Sequence, residues 1–278
     1  MCTTKLMVAL FYAILHPIKT VTMTLFKTNP VYAAIAALLF LQIPILIAGS
    51  GTNEHVSRYN NSRLIDTEKF PEKSKMELIL EQADSMYSAM NLTEVGLNEE
   101  AFELAFSGYF KLVEKGVVEK PGILTIADFS KSSSEKRLFI IDLEQMRLLF
   151  NTLVAHGRNS GLRYASVFSN KPESNKSSLG FYKTMHSYYG DHGLALKLMG
   201  LEKGINDKAY DRAIVMHGSD YVSGSFLRMQ GYLGRSFGCP AIPMKETKPI
   251  INTIKEGTVL FIYHPTEQYR SQSAVLNS

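Results

Sequence analysis

After Pro121 the apolar residues stop recurring every three or four positions and gather into short runs of branched and aromatic side chains. Ile123–Phe129, Arg137–Asp142, Leu179–Thr184, Leu194–Met199, Arg212–His217 and Thr258–Tyr263 are such runs. Gln145–Ala155 alternates, with Met146, Leu148, Phe150 and Val154 on one side. Runs this short are strands, because a buried helix needs about ten residues or more to present a face. Only Thr247–Lys255, ending at Gly257, reads as a helix among them, so the alternation of a parallel βαβ sheet is missing. The pattern predicts a mainly β (α+β) region over residues 122–263, a sandwich or barrel, with long polar loops such as Ser166–Ser178.

The helical period lies upstream. Met76, Ile79, Leu80, Ala83, Met86, Tyr87 and Met90 follow the spacing of an amphipathic helix. A second helix starts after Asn98, a good N-cap, buries Phe102, Ala105, Phe106, Tyr109, Leu112 and Val113, and stops at Gly116. Residues 75–119 therefore read as a helical segment packed on the β domain. Residues 51–74 read as a polar linker and 265–278 as a C-terminal tail.

Residues 1–50 carry a different signal. Val31–Ala48 is eighteen residues without a charge, preceded by Lys27 and followed by Gly49-Ser50. A cationic start, an apolar run and small residues at the exit describe a signal peptide, and an uncleaved membrane anchor fits the same run despite Pro44. Leu6–Leu15 makes the leader long, and a start at Met23 would restore an ordinary length. The sequence thus predicts an exported protein of the periplasm or cell envelope, touching the membrane only through this segment. Three of the 30 Lys and Arg lie in the first fifty residues with no acid, leaving 27 bases against 26 acids. A near-neutral body argues against a nucleic-acid partner.

Chemistry concentrates in Ile214–Pro243. An apolar strand delivers His217 to its end, and Gly218 lets the chain turn. Twenty-two residues after His217 stands Cys239, in Gly234-Arg235-Ser236-Phe237-Gly238-Cys239-Pro240. Cys2 lies in the leader, so this thiol has no disulfide partner in the body. Glycines beside it permit close backbone approach and expose the sulfur. A free thiol titrates near ~8.5 and needs a base to become a nucleophile at neutral pH, and His217 is the natural one. Backbone N–H groups around Gly238 and Cys239 suit a developing oxyanion, and Ser236 can hydrogen-bond within the turn. A buried structural thiol is the plain alternative.

These residues resemble the active-site signature of the L,D-transpeptidases, the YkuD-like peptidoglycan enzymes. Its common form is His-Gly, a gap, Ser-His-Gly-Cys, an apolar residue, then Arg or Asn. Here Phe237 replaces the second His, Pro240 follows the Cys, and Ala241 takes the Arg or Asn position. A divergent branch that favours Gly-Arg-Ser-x-Gly-Cys-Pro is similar, also at Val154–Gly161, Phe168–Tyr182 and Gly200–Gly218. The resemblance covers about residues 120–264. It implies a YkuD-like catalytic domain in which Cys239 attacks a peptidoglycan tetrapeptide stem and His217 is the base. Ser236 and Gly238 would support the oxyanion, and Arg235 and Gly218 would meet the substrate. It implies no metal and no organic cofactor. A thioacyl intermediate could then pass to another stem, to a protein amine, or to water, as in a hydrolytic relative. A cysteine peptidase and a non-catalytic envelope binding module remain as other classes.

The remaining candidates read more plainly. His156 fits a satisfied structural histidine. His186 and His192 are spaced wrongly for a helical zinc pair. Tyr188 and Tyr189 read as packing, and Lys171–Lys176 as a solvated loop.

Overall fold

The computed structural model describes residues 73–191 and 193–278. The leader, Val31–Ala48 and most of the linker lie outside the described residues. No helix of the described residues is long and apolar enough to cross a membrane.

Two helices come first, as the spacing predicts. Helix α1 (Lys75–Ala89) is started by Ser74, which forms a capping box with Glu77: Glu77 N donates to Ser74 Oγ at 3.3 Å and Ser74 N donates to Glu77 Oε2 at 2.7 Å. Helix α2 (Glu99–Glu114) is capped by the Asn98 side chain and buries nearly its whole length. Phe102, Phe106 and Phe110 meet in sequence along it with their rings tilted. It is held to the β domain at Gly108, which lies against Phe181, and by Gly122 N donating to Tyr109 Oη at 2.7 Å.

Eight strands follow in one sheet: β1 (Ile123–Asp128), β2 (Leu138–Asp142), β3 (Arg147–Thr152), β4 (Gly180–Gly190), β5 (Gly193–Gly200), β6 (Val215–Ser219), β7 (Ala241–Pro243) and β8 (Val259–Tyr263). Their order is β3-β2-β1-β8-β4-β5-β6-β7. β1/β8 and β6/β7 are parallel and the other pairs antiparallel. The sheet curls until its two ends meet. The segment leaving β3 bridges β7, with Ala155 N donating to Ala241 O at 2.8 Å and Ala241 N to Ala155 O at 3.4 Å. Of the two expected architectures, the chain thus adopts the mainly β, nearly closed barrel, which removes most of the free edge.

Several boundaries differ from expectation for physical reasons. The strand expected at Arg212 begins only at Val215, because Ala213 is left-handed (φ 52°). β4 runs on to Gly190, beyond its β8 partner, and pairs there with β5 alone; half-exposed and polar, this end hides its strand character. β7 is too short to read. Helix α4 (Met244–Ile254) starts before Thr247. Two short helices, α3 (Gly224–Gln230) and α5 (Glu267–Gln272), were not expected. Residues 265–278, read as a tail, are packed: Tyr269 Oη donates to buried Glu202 at 3.0 Å, Ser273 Oγ bonds the same carboxylate, and Leu276 O accepts from Lys111.

The docking of α2 gives the first prediction. A Cβ on Gly108 would stand 2.1 Å from Phe181 Cζ, and Phe181 is itself stacked on Phe261 with centroids 4.3 Å apart. Gly108→Ala is expected to lower the free energy of unfolding by about 1–3 kcal/mol, read from the midpoint of urea denaturation. An unchanged midpoint would mean that α2 is not seated on the sheet.

Candidate active site

The parallel pair β6/β7 builds the site. His217 pairs with Ala241 across it, and Cys239 lies two residues before Ala241. His217 and Cys239 therefore face a common cavity of about 380 Å³. His217 is buried, and its Nδ1 lies 3.0 Å from Gly218 O. A carbonyl can only accept, so in the neutral ring Nδ1 carries the proton and Nε2 is the basic nitrogen.

Cys239 is a half-buried free thiol. Its Sγ accepts from Val215 N at 3.4 Å and donates to Ala213 O at 3.8 Å. Burial pushes the thiol above its ordinary range, while the Val215 N–H and the Arg212 charge pull the other way. It is therefore a thiol at neutral pH and requires a base.

The turn before Cys239 is held from both sides. Ser236 Oγ accepts from Gly238 N at 3.0 Å and donates to Cys239 O at 2.6 Å. Ser236 also bridges the Val154–Gly161 segment: its N donates to His156 O at 3.1 Å, and its O accepts from Arg158 N at 2.8 Å. Ser177 Oγ donates to Gly238 O at 3.0 Å and accepts from Gly157 N at 3.0 Å. Gly238 has φ 128°, and a Cβ on it would meet Lys176 O at 2.9 Å. The motifs at Val154–Gly161 and Phe168–Tyr182 thus form the seat of the cysteine turn.

Behind that seat lies a buried pair. Arg137 Nη2 donates to His156 Nδ1 at 2.8 Å, and its Nε and Nη2 donate to Val154 O at 3.0 and 2.9 Å. His156 Nε2–H faces Gly161 O at 3.2 Å. Burial, then the Arg137 charge, brings the His156 pKa down to about 4. His156 is the structural histidine its sequence context indicates.

Some site assignments change. Gly218 does not meet the cavity: a Cβ there would strike Thr247 Oγ1 at 2.3 Å and Met244 Sδ at 2.7 Å, so this glycine lets α4 pack. The Gly238 N–H is engaged by Ser236 Oγ, so Gly238 supports the turn and does not offer a free oxyanion donor. Arg235 lines the cavity, with Nη1 near Arg158 O (3.3 Å) and Gly161 O (3.4 Å). Phe237 stands exposed at the mouth with the Arg158 guanidinium 4.7 Å from its ring centre. Ala241 is buried in the ladder and has no route to a substrate.

The structure adds residues that the sequence reading passed over. Arg212, Asp191 and Tyr221 line the cavity, as does Tyr188, which is therefore not simple packing. Tyr189 is 79% exposed and does not pack either. The Lys171–Lys176 loop is solvated on one side only, because its backbone receives Arg212. The Asp211-Arg212 pair directly before the His217 strand was the available signal for Arg212. His192 lies outside the described residues, and no group of three His, Cys, Asp or Glu that could hold a metal occurs among the described ones.

A family model described as L,D-transpeptidase catalytic domain (YkuD_2) matches residues 93–263. The chain belongs to this family. The match begins upstream of α2, so that helix is part of the family domain. No curated protein sequence matches the chain. Among solved structures, an L,D-transpeptidase from Mycobacterium smegmatis is 11% identical, covering 51% of this chain and 59% of its own, with TM-score 0.34. L,D-transpeptidase 3 from Mycobacterium tuberculosis is 10% identical, covering 52% of this chain and 62% of its own, with TM-score 0.30. An L,D-transpeptidase from Stackebrandtia nassauensis is 10% identical, covering 68% and 79%, with TM-score 0.31. The chain spans about 59% of the length of the first of these.

Acid should act on the seat through His156. Its folded pKa of about 4 lies below the ordinary 6.5, so its contribution is complete above about pH 6.5 and is lost as pH falls toward 4. The unaltered protein should therefore lose up to about 3 kcal/mol more than His156→Gln across that window, measured as the difference between their urea midpoints at each pH. Parallel pH curves for the two proteins would contradict the assignment.

Proposed function

We propose that the protein is an exported, cysteine-dependent acyl transferase acting on peptidoglycan stem peptides. The observation that carries this reading is that His217, on β6, and Cys239, in the turn two residues before its pairing partner Ala241, line one cavity. The family supplies the substrate class. The 1–50 segment supplies the route out of the cytoplasm, as a cleaved signal or a retained anchor.

The chemistry follows from the donor set. His217 Nε2 takes the Cys239 proton, because the buried thiol does not ionise unaided. The sulfur then attacks the carbonyl that joins the diamino acid of a tetrapeptide stem to its terminal D-alanine. The C=O bond opens, and its oxygen becomes an anion. With Gly238 N–H engaged by Ser236, we assign the Cys239 N–H as the donor to this anion. Collapse breaks the C–N bond, and imidazolium returns the proton to the leaving D-alanine amine. The thioester is resolved by the amine of a second stem, forming a cross-link and regenerating the thiol. Resolution by water instead gives the hydrolytic product. Arg235 supplies from the cavity wall the positive charge that Ala241, at the signature's Arg or Asn position, lacks.

Incubation with purified muropeptides followed by mass spectrometry tests the proposal. A cross-linked dimer with loss of D-alanine is the expected product, whereas a shortened monomer alone would assign the hydrolytic outcome. Cys239→Ala should lower turnover at least about a thousandfold while leaving the thermal transition in place. Turnover retained by a folded Cys239→Ala protein would end the nucleophile assignment.

A further inference from the structure

The steps above leave Arg212 unused, yet its side chain is the most heavily bonded charged group on the cavity wall. It stands just before β6, half-buried. Nη1 donates to Ser169 O at 2.8 Å and to Ser178 Oγ at 2.7 Å. Nη2 donates to Lys176 O at 2.7 Å and to Ser174 Oγ at 3.3 Å. All four acceptors belong to one loop, residues 169–178.

That loop is also what Gly238 rests on, through Ser177 Oγ and through Lys176 O. Arg212 Nη2 itself would lie 3.3 Å from a Cβ on Gly238, so the guanidinium sits directly behind the residue preceding the cysteine. On its other side the chain takes the left-handed turn at Ala213, and Ala213 O and Val215 N are the groups that touch Sγ. Residues 212–215 thus form a hook with the fork of Arg212 in the loop and the sulfur in its bend. Lysine offers three donors from one nitrogen and cannot span these four acceptors as a planar fork does.

We propose that Arg212 is a positioning residue for Cys239: its fork fixes the 169–178 loop beneath the Gly238-Cys239 turn, and its charge, held there, stabilises the thiolate. Its catalytic meaning rests on Cys239 being the nucleophile, as proposed above. The titratable and charged groups that share the cavity with the sulfur are Arg212, Arg235, Asp191, His217, Tyr188 and Tyr221. Arg235 is directed instead to Arg158 O and Gly161 O.

The test is the pH profile of iodoacetamide alkylation at Cys239 in the full chain, read on the Cys239 peptide by mass spectrometry. Arg212→Gln should move the midpoint upward by roughly one pH unit with the same alkaline plateau, because a positive neighbour has been removed. Arg212→Lys keeps the charge and loses the fork. Its midpoint should stay near that of the unaltered protein, while tryptic cleavage after Lys176 should become faster. An unshifted Arg212→Gln profile overturns the role of the charge. An Arg212→Lys protein as resistant to trypsin as the unaltered one overturns the role of the fork. Should Arg212→Gln show no thermal transition, the lysine protein decides: a midpoint displaced upward by about a unit overturns the proposal, and an unmoved one supports it. A Cys239 that resists alkylation even at alkaline pH in the unaltered protein overturns the nucleophile reading itself.

Discussion

Ala241 is the residue that the rest of the site depends on. Its backbone pairs with His217 on β6 and, on the other side, with Ala155 of the segment leaving β3. One three-residue strand therefore both closes the barrel and sets where the Cys239 turn lies relative to His217. A backbone ladder is well suited to this task, since its spacing does not depend on any side-chain rotamer. The same ladder explains why the small side chain at Ala241 is tolerated: the position is buried between two neighbours and has no access to the cavity.

Around that ladder the polar groups are arranged in two shells of very different solvation. Behind the cysteine turn, Arg137 and His156 are fully buried and bond each other and the carbonyls of Val154 and Gly161. Breaking such a buried pair leaves donors and acceptors without water, so the seat is rigid as long as His156 stays neutral. In front of the turn the cavity is open and carries both signs of charge, Arg212 and Arg235 with Asp191. The sulfur lies at the boundary. Burial raises its pKa, and Arg212 and the Val215 N–H offset part of that rise.

The helical segment belongs to this arrangement more closely than a linker-borne accessory would. Gly108 of α2 has no side chain because Phe181 of β4 occupies the space, and the C-terminal residues return to α2 through Leu276 O and Lys111. The C-terminal residues are thus tied to α2, and α2 to the sheet. The family match starting at residue 93 agrees with this docking.

What the sequence determined by itself is what local chemistry encodes. The three-and-four spacing and the Asn98 cap mark α2, and the short branched runs mark six of the strands. The glycines around Cys239 mark a turn that must pass through positive φ, as Gly238 does. His156, at the end of an apolar run, was legible as structural. What only the tertiary structure decided depends on partners distant in the chain. β7 has three residues, with Pro240 before it and Pro243 as its last, so its strand character comes wholly from pairing with β6 and Ala155. The far end of β4 is half-exposed, which erases the alternation that a buried strand would show. Gly218 looked like a substrate contact and is a packing site, because α4 lies against it. Arg212 looked like the start of a strand. Its function in the loop could not be read, because its four acceptors lie 34 to 43 residues away along the chain and meet the guanidinium only when the barrel has closed.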